Sequence, residues 1–291
     1  MGRIWEGCCL VHLRAFGCTH VHSGWIDGYL APWNIMLESA DRVLRVMELF
    51  NGGERSLSLS EIADRMSLPK SSVHRLLATL LAHKFIERDL FTRRYRLGIK
   101  LFEIGSLVIH DRGLHAAAHP VVEELAVSTG ETCHLAVLSG TDAVYVYKID
   151  GSATIIMSSR VGGRAPCFCT SIGKVLVAWS GEDIFRQVVK RGFQPFTPNT
   201  IRDAERLAAE LEKVRRNGYA LDREEFQPGL TCIAAPVRDH SGRVVAALGL
   251  AGPSNRLNRR RLLQLAAPVT GAADALSRNL GYIRLIAVSG A

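Results

Sequence analysis

At 291 residues, with 47% hydrophobic and 22% charged residues, the chain can bury a substantial core and divides into one large domain or two of ordinary size. No stretch approaches the roughly eighteen consecutive apolar residues of a membrane span, and the seven cysteines lack the paired spacing of a small disulfide scaffold, so we expect no membrane partner, reduced thiols and a cytoplasmic setting. The formal charge of +8 favours a polyanionic partner without requiring one.

Residues 1–35 hold Trp5, Trp25 and Trp33, three of the four tryptophans, with Cys8, Cys9 and Cys18 and no lysine. They show no sustained period of two or 3.6. Glu6, His12 and Arg14 interrupt any signal-peptide run, and the Cys/His spacing matches no zinc finger, so no metal site is expected. A clean amphipathic pattern begins at Met36. We therefore expect 1–35 to be a disordered or non-native extension, such as upstream translation of the reading frame.

From Met36, "MLESADRVLRVMELFNGG" repeats apolar residues three and four apart, with Ser39 as N-cap and Gly52-Gly53 as the stop, which predicts a helix. Ser58 with Glu61 three residues on predicts a capping box opening "SEIADRM". Ser67-Leu68 then makes a tight turn, and Pro69 opens a helix whose Val73, Leu76, Leu77, Leu80 and Leu81 point inward. Its outer face carries Lys70, Ser71, Ser72, His74 and Arg75. Two short helices joined by a tight turn, the second polar and basic at its exposed N-terminal end, predict a helix-turn-helix that reads duplex DNA. "FIERDLFTRRYRLG" predicts a two-stranded wing turning at Asp89–Thr92, with Arg93 and Arg94 beside the turn. Between residues 69 and 100, eight Lys or Arg stand against two acids. Small serines admit close approach to the major groove, and the arginines are expected to hold phosphate or the minor groove. The basic run Arg256–Arg261 reads as a solvated helix start with no binding role.

"GIKLFEIGSLVIHDRG" predicts a connector helix with an apolar Leu101, Ile104, Leu107, Val108 stripe, followed by a helix opened by Pro120. A domain boundary falls near Arg112–Leu114. Beyond Gly130, "CHLAVLSG", "AVYVYKID" and "TIIMSS" predict strands, "SIGKVLVAW" and "RDAERLAAELEKVRRNG" helices, and "GLTCIAAPVRD" with "RVVAALGLAGP" a hairpin turning at Asp239–Gly242. That mixture predicts an α+β domain.

Enzymatic readings find little support. "SIGKV" lacks the leading glycine and the magnesium-binding hydroxyl of a phosphate loop. No Ser/His/Asp order stands out, and sequence cannot place His119, His134 or His240 beside a nucleophile. Cys133, Cys167, Cys169 and Cys232 read as buried small hydrophobes, not a metal site or thiol switch. We expect no catalytic residues, metal or cofactor. The alternative is a small-molecule enzyme or redox sensor carrying a winged-helix domain.

The ordered stretches "LPKSSVHRLLATL", "GGRAPCFCTSIGKVLVAW" and "RRNGYALDREEFQPGLTCIAAPVRDHSGRVVAALGLAGP" resemble the IclR family of bacterial transcription regulators over residues 38–285. The resemblance implies a winged helix-turn-helix at 36–97, a connector helix at 98–113 and a GAF-like effector-binding domain at 114–291. It further implies a homodimer through the DNA-binding region and connector, often doubled to a homotetramer, acting on an operator and responding to a small organic acid. Family members hold a carboxylate metabolite in a pocket that here selects Ser171, Ile172, Asp222, Cys232, Gly249 and Ala251. Members that recognise very small oxoacids carry serines on the last strand. Gly249 and Ala251 stand here instead, which predicts a bulkier, aromatic or branched acid in preference to pyruvate or glyoxylate.

Overall fold

The computed structural model describes residues 23–26, 29–32, 37–52, 54–110, 113–151 and 159–283; the strand expected from "TIIMSS" lies largely outside them. Two compact units divide the chain, residues 1–106 and 107–291, a division that falls inside the helix expected as the connector. Within the segment read as an extension, β1 (Ser23–Ile26) and β2 (Tyr29–Pro32) pair as an antiparallel ribbon.

The first unit is built on three helices and a ribbon. α1 (Glu38–Glu48) is preceded by Leu37, whose side chain makes no cap bond, so Ser39 is not the N-cap expected for it; a 3-10 turn over Leu49–Gly52 completes its end. α2 (Leu59–Met66) opens with the expected capping box: Glu61 N–H donates to Ser58 Oγ at 3.3 Å, and Ser58 N–H donates to Glu61 Oε2 at 2.7 Å. Ser67, left-handed at φ 53°, ends it. α3 (Lys70–Ala82) follows at once after Pro69 and buries Val73, Leu77 and Leu80 against Val46, Ile62 and Met66. β3 (Ile86–Arg88) and β4 (Tyr95–Leu97) form the ribbon, which Tyr95 anchors in the same core. α4 (Lys100–His110) comes next.

In the second unit α5 (Leu114–Thr129) runs through Pro120 where a new start was expected there. Gly113, left-handed at φ 58°, sets the start six residues earlier. The sheet contains β5 (Thr132–Ser139), β6 (Asp142–Ile149), β7 (Arg164–Pro166), β8 (Ala220–Arg223), β9 (Leu230–Arg238) and β10 (Val244–Pro253), in the order β7-β6-β5-β10-β9-β8 with every pairing antiparallel. Its helices are α6 (Ser171–Ala178), α7 (Glu182–Arg191), α8 (Ala204–Asn217) and α9 (Arg259–Asn279).

Alternation along the strands divides the residues into two faces. Cys133, Leu135, Ile233, Val237, Leu248 and Leu250 pack with α5 and α9. The opposite face is built from small side chains, Ala136, Ala143, Ala220, Ala234 and Ala247, and receives α6 and α8. Small residues let α6, buried along all eight of its positions, lie close over the sheet. Gly173 lets the same helix close on the turn before it: a Cβ there would stand 2.3 Å from Cys167 Cα.

Candidate functional site

In the first unit the helix-turn-helix and ribbon present a basic surface. Lys70, Ser71, His74 and Arg75 are exposed on α3, while Ser72 is half-buried. The serines and Lys70 occupy the helix start, where the helix dipole attracts phosphate, although the Ser72 N–H already donates to Pro69 O at 2.9 Å. Beyond the ribbon's turn, Arg93 is exposed and left-handed at φ 58°. Arg94, also expected at the duplex, is half-buried. Its guanidinium turns back to α2, donating to Ser56 Oγ and O at 3.1 Å each and pairing with Glu61 at 2.9 Å. The bonds from Ser58, joined by Arg94, hold the Glu61 carboxyl down at about 2. Arg94 therefore ties the ribbon to the capping box, a connection invisible without the fold because the partners lie 33 residues apart.

In the second unit a cavity of ≈ 320 Å³ opens between the small-residue face and the start of α6. All six residues selected from sequence line it: Ser171, Ile172, Asp222, Cys232, Gly249 and Ala251. Register explains the convergence. Asp222 on β8 pairs with Cys232 on β9, Cys232 with Ala251 on β10, and Gly249 with both Ala234 and His134, which sets them on one face.

Ser171 does not cap α6. Thr170 does, its Oγ1 accepting from Gly173 N–H at 3.2 Å, which leaves Ser171 on the cavity wall. Asp222 plays two parts: its carboxylate accepts from Glu225 N–H at 2.8 Å, holding the turn after β8, and it lines the cavity. Burial raises the Asp222 carboxyl from its ordinary 3.8 to about 7, against the opposing pull of Lys174. Lys174 is 0% exposed and pairs with Glu225 at 2.6 Å and Glu210 at 3.8 Å. One ammonium thus stands among three carboxylates behind the cavity.

Sequence reasoning left out further lining residues, among them His134, Tyr145, Ser159, Arg160 and Phe226. His134 Nε2 lies 2.7 Å from Ser159 Oγ. Burial, aided by Lys148, lowers His134 to about 4, so the ring is neutral at physiological pH. A strand pattern could have marked His134 as facing either way; only pairing with Gly249 chose the face. Gly249 also corrects the size argument. A Cβ there would meet Ile233 O at 2.8 Å, Ala234 Cβ at 2.9 Å and Ile172 Cγ1 at 3.2 Å, so the missing side chain admits α6 and does not by itself enlarge the cavity.

Burial pushes the Cys133 and Cys167 thiols up to about 12 and raises Cys169 and Cys232 as well. These groups stay protonated and unreactive at neutral pH. Arg256, from the basic run given no binding role, grips the buried Glu131 with both ends of its guanidinium, at 2.7 and 2.6 Å.

Comparison with known proteins bears on both units. A family model described as the IclR helix-turn-helix domain matches residues 39–90, and one described as bacterial transcriptional regulator IclR C-terminal matches residues 106–278. The chain is 39% identical over 249 residues to the HTH-type transcriptional regulator XynR of Escherichia coli K12, covering 85% of this chain and 98% of that one. It is 36% identical over 248 residues to KdgR of the same organism, covering 84% and 94%. Among solved structures, the IclR of Thermotoga maritima superposes with a TM-score of 0.70 at 30% identity, covering 85% of this chain and 100% of that one. An IclR homologue from Microbacterium hydrocarbonoxydans complexed with 4-hydroxybenzoate gives 0.75 at 27% identity, covering 83% and 98%.

Proposed function

The chain belongs to the IclR family of bacterial transcription regulators, and from that premise we propose that a small organic acid held in the ≈ 320 Å³ cavity governs its binding to an operator. The convergence of Ser171, Ile172, Asp222, Cys232, Gly249 and Ala251 on one cavity carries this reading. Backbone N–H groups and the Ser171 hydroxyl at the start of α6 are placed to receive a carboxylate. Ile172 and Phe226 shield it from water, and the exposed Arg160 and Arg164 complete the lining. The complex of a homologue with 4-hydroxybenzoate supports an acid larger than pyruvate. On the duplex, Lys70, Ser71, Ser72, His74 and Arg75 face the major groove and Arg93 a phosphate, whereas Arg94 holds the wing in place. The partition 36–97, 98–113 and 114–291 follows the same roles, with 1–35 outside them. The whole acts in the cytoplasm as a homodimer or tetramer.

A catalytic reading has one observation in its favour, the His134–Ser159 contact. A base held at about 4 is too weak to activate a serine hydroxyl efficiently near neutrality, so we read the second unit as a sensor. Calorimetric titration of the full chain with 4-hydroxybenzoate and with pyruvate tests the proposal. The aromatic acid should bind more tightly, and Ser171→Ala and Asp222→Ala should each weaken it on the order of tenfold or more. Pyruvate binding more tightly than the larger acid removes the size argument, and undiminished affinity in both variants removes the site.

A further inference from the structure

Leu90 and Phe91 are 87% and 96% exposed, the most exposed large hydrophobic residues among those described. Single apolar side chains at a surface need no explanation, but a consecutive Leu-Phe pair at the tip of a tight turn does. Turns favour Gly, Asn, Asp and Pro for conformational reasons, and here other residues supply the turn. Asp89 Oδ1 accepts from Phe91 N–H at 3.0 Å, from Thr92 N–H at 2.7 Å and from Thr92 Oγ1 at 2.9 Å. Arg93 N–H donates to Asp89 O at 3.0 Å and Asp89 N–H to Arg94 O at 2.9 Å, which closes the hairpin. Those bonds hold Asp89 ionised below its ordinary range. The Leu90 and Phe91 side chains are thus outside the hydrogen-bonding that makes the turn, yet the turn fixes where they project. The Arg94 tie to Glu61 and Ser56 then anchors the ribbon on α2.

Charge names the occupant. Arg88 and Arg93 are exposed on the same ribbon, where the exposed Arg96 pairs with Glu87 at 2.9 Å. A polyanionic duplex suits an apolar tip framed by arginines better than the apolar face of a protein would. Proteins that enter the minor groove insert Phe or Leu between base steps, partly unstacking them and kinking the helix away.

We propose that Leu90 and Phe91 form an apolar wedge that enters the operator's minor groove and partly unstacks one base step, so that the wing bends the duplex as well as gripping its backbone. This rests on the operator-binding reading above. It also makes the wing a source of sequence preference at a step it need not hydrogen-bond, since flexible TA and CA/TG steps cost least to open.

The test uses the full-length protein and a duplex selected by the wild type from a random library. With 2-aminopurine at the step under the wing, wild-type binding should raise the fluorescence, and end-labelled duplexes should report a bend by energy transfer. Leu90→Ala/Phe91→Ala should abolish the fluorescence rise, straighten the duplex and weaken binding on the order of tenfold, with an unchanged salt dependence because no cation is removed. Phe91→Leu should retain most of the effect. An unchanged melting temperature is expected, as both side chains are exposed. Unaltered affinity and bend in the double variant would overturn the wedge and leave the operator reading standing, whereas a wild type that selects no duplex would overturn that reading itself. A double variant that changes the sedimentation of the DNA-free protein would assign the pair to a protein interface and also overturn the wedge.

Discussion

Asp222 joins the cavity to a buried charge cluster, and its protonation is the property most open to measurement. Glu225 is pushed up by its own burial against the pull of Lys174, and its charge adds to the rise of Asp222. A carboxyl raised from 3.8 to about 7 by folding binds its proton more tightly in the native chain. It stabilises the fold fully below pH 4, and that contribution is lost as the pH rises through about 7. Asp222→Asn keeps an acceptor for the Glu225 N–H without the charge. The variant should therefore melt higher than wild type at pH 8.5 and lose that advantage towards pH 5, a stability difference of about a few kcal/mol at most. Calorimetric melts at the two values decide it: a difference independent of pH means Asp222 is ionised throughout. At this scale Ser171 and Asp222 were picked out by the family resemblance of the "TSIGK" and "YALDREE" segments, and both line the cavity. The charge cluster was not. Lys174 offered no sign that it would be fully buried beside Glu225, 51 residues away, because pairing across elements leaves no local pattern.

Elements with their own capping or periodicity could be read directly, and those defined by partners could not. The Ser58–Glu61 box, the apolar edge of α3 and the Asp239–Gly242 hairpin are local patterns and stand as expected. β7 and β8 have three and four residues, too few for alternation to register, and exist because β6 and β9 present free edges to them. Pro120 was read as a helix start because proline favours that position, yet helix starts are also set by what precedes them, here left-handed Gly113. The wing illustrates the difference in a testable way. Arg93 and Arg94 are adjacent in sequence, but Arg93 is exposed while Arg94 is bonded to Ser56 and Glu61. Arg93→Ala should reduce the slope of log affinity against log salt by about one and leave melting unchanged. Arg94→Ala should lower the melting temperature of the DNA-binding unit and weaken specific binding through a misplaced wing. Equal salt slopes and equal melts for the two variants would show that the two arginines do the same work.

At the scale of the whole molecule, α4 carries the case for association. Leu101 is half-buried, Phe102 and Ile104 are 71% and 43% exposed, and Ile99, just before the helix, is 61% exposed; the side chains of Leu107 and Val108, which completed the expected stripe, lie outside the described residues. An apolar helix surface of this kind is normally covered. A second copy is the economical cover, because a helix-turn-helix dimer places its two recognition helices about one helical turn apart on a palindromic site and a two-fold interface repeats the same residues on both sides. Burying Phe102 removes a large apolar area from water, whereas a glutamate in its place would carry a charge into the interface and require desolvation. Phe102→Glu/Ile104→Glu should therefore sediment as a monomer at micromolar concentration, where the wild type should sediment as a dimer or tetramer. The variant should still bind a half-site duplex weakly, since α3 and the wing are untouched. It should lose the added affinity of a full palindromic site, because that gain comes from linking two modest contacts into one. A wild type that is monomeric at micromolar concentration yet binds the full site specifically would count against association through α4, and a glutamate variant that remains a dimer would move the interface elsewhere.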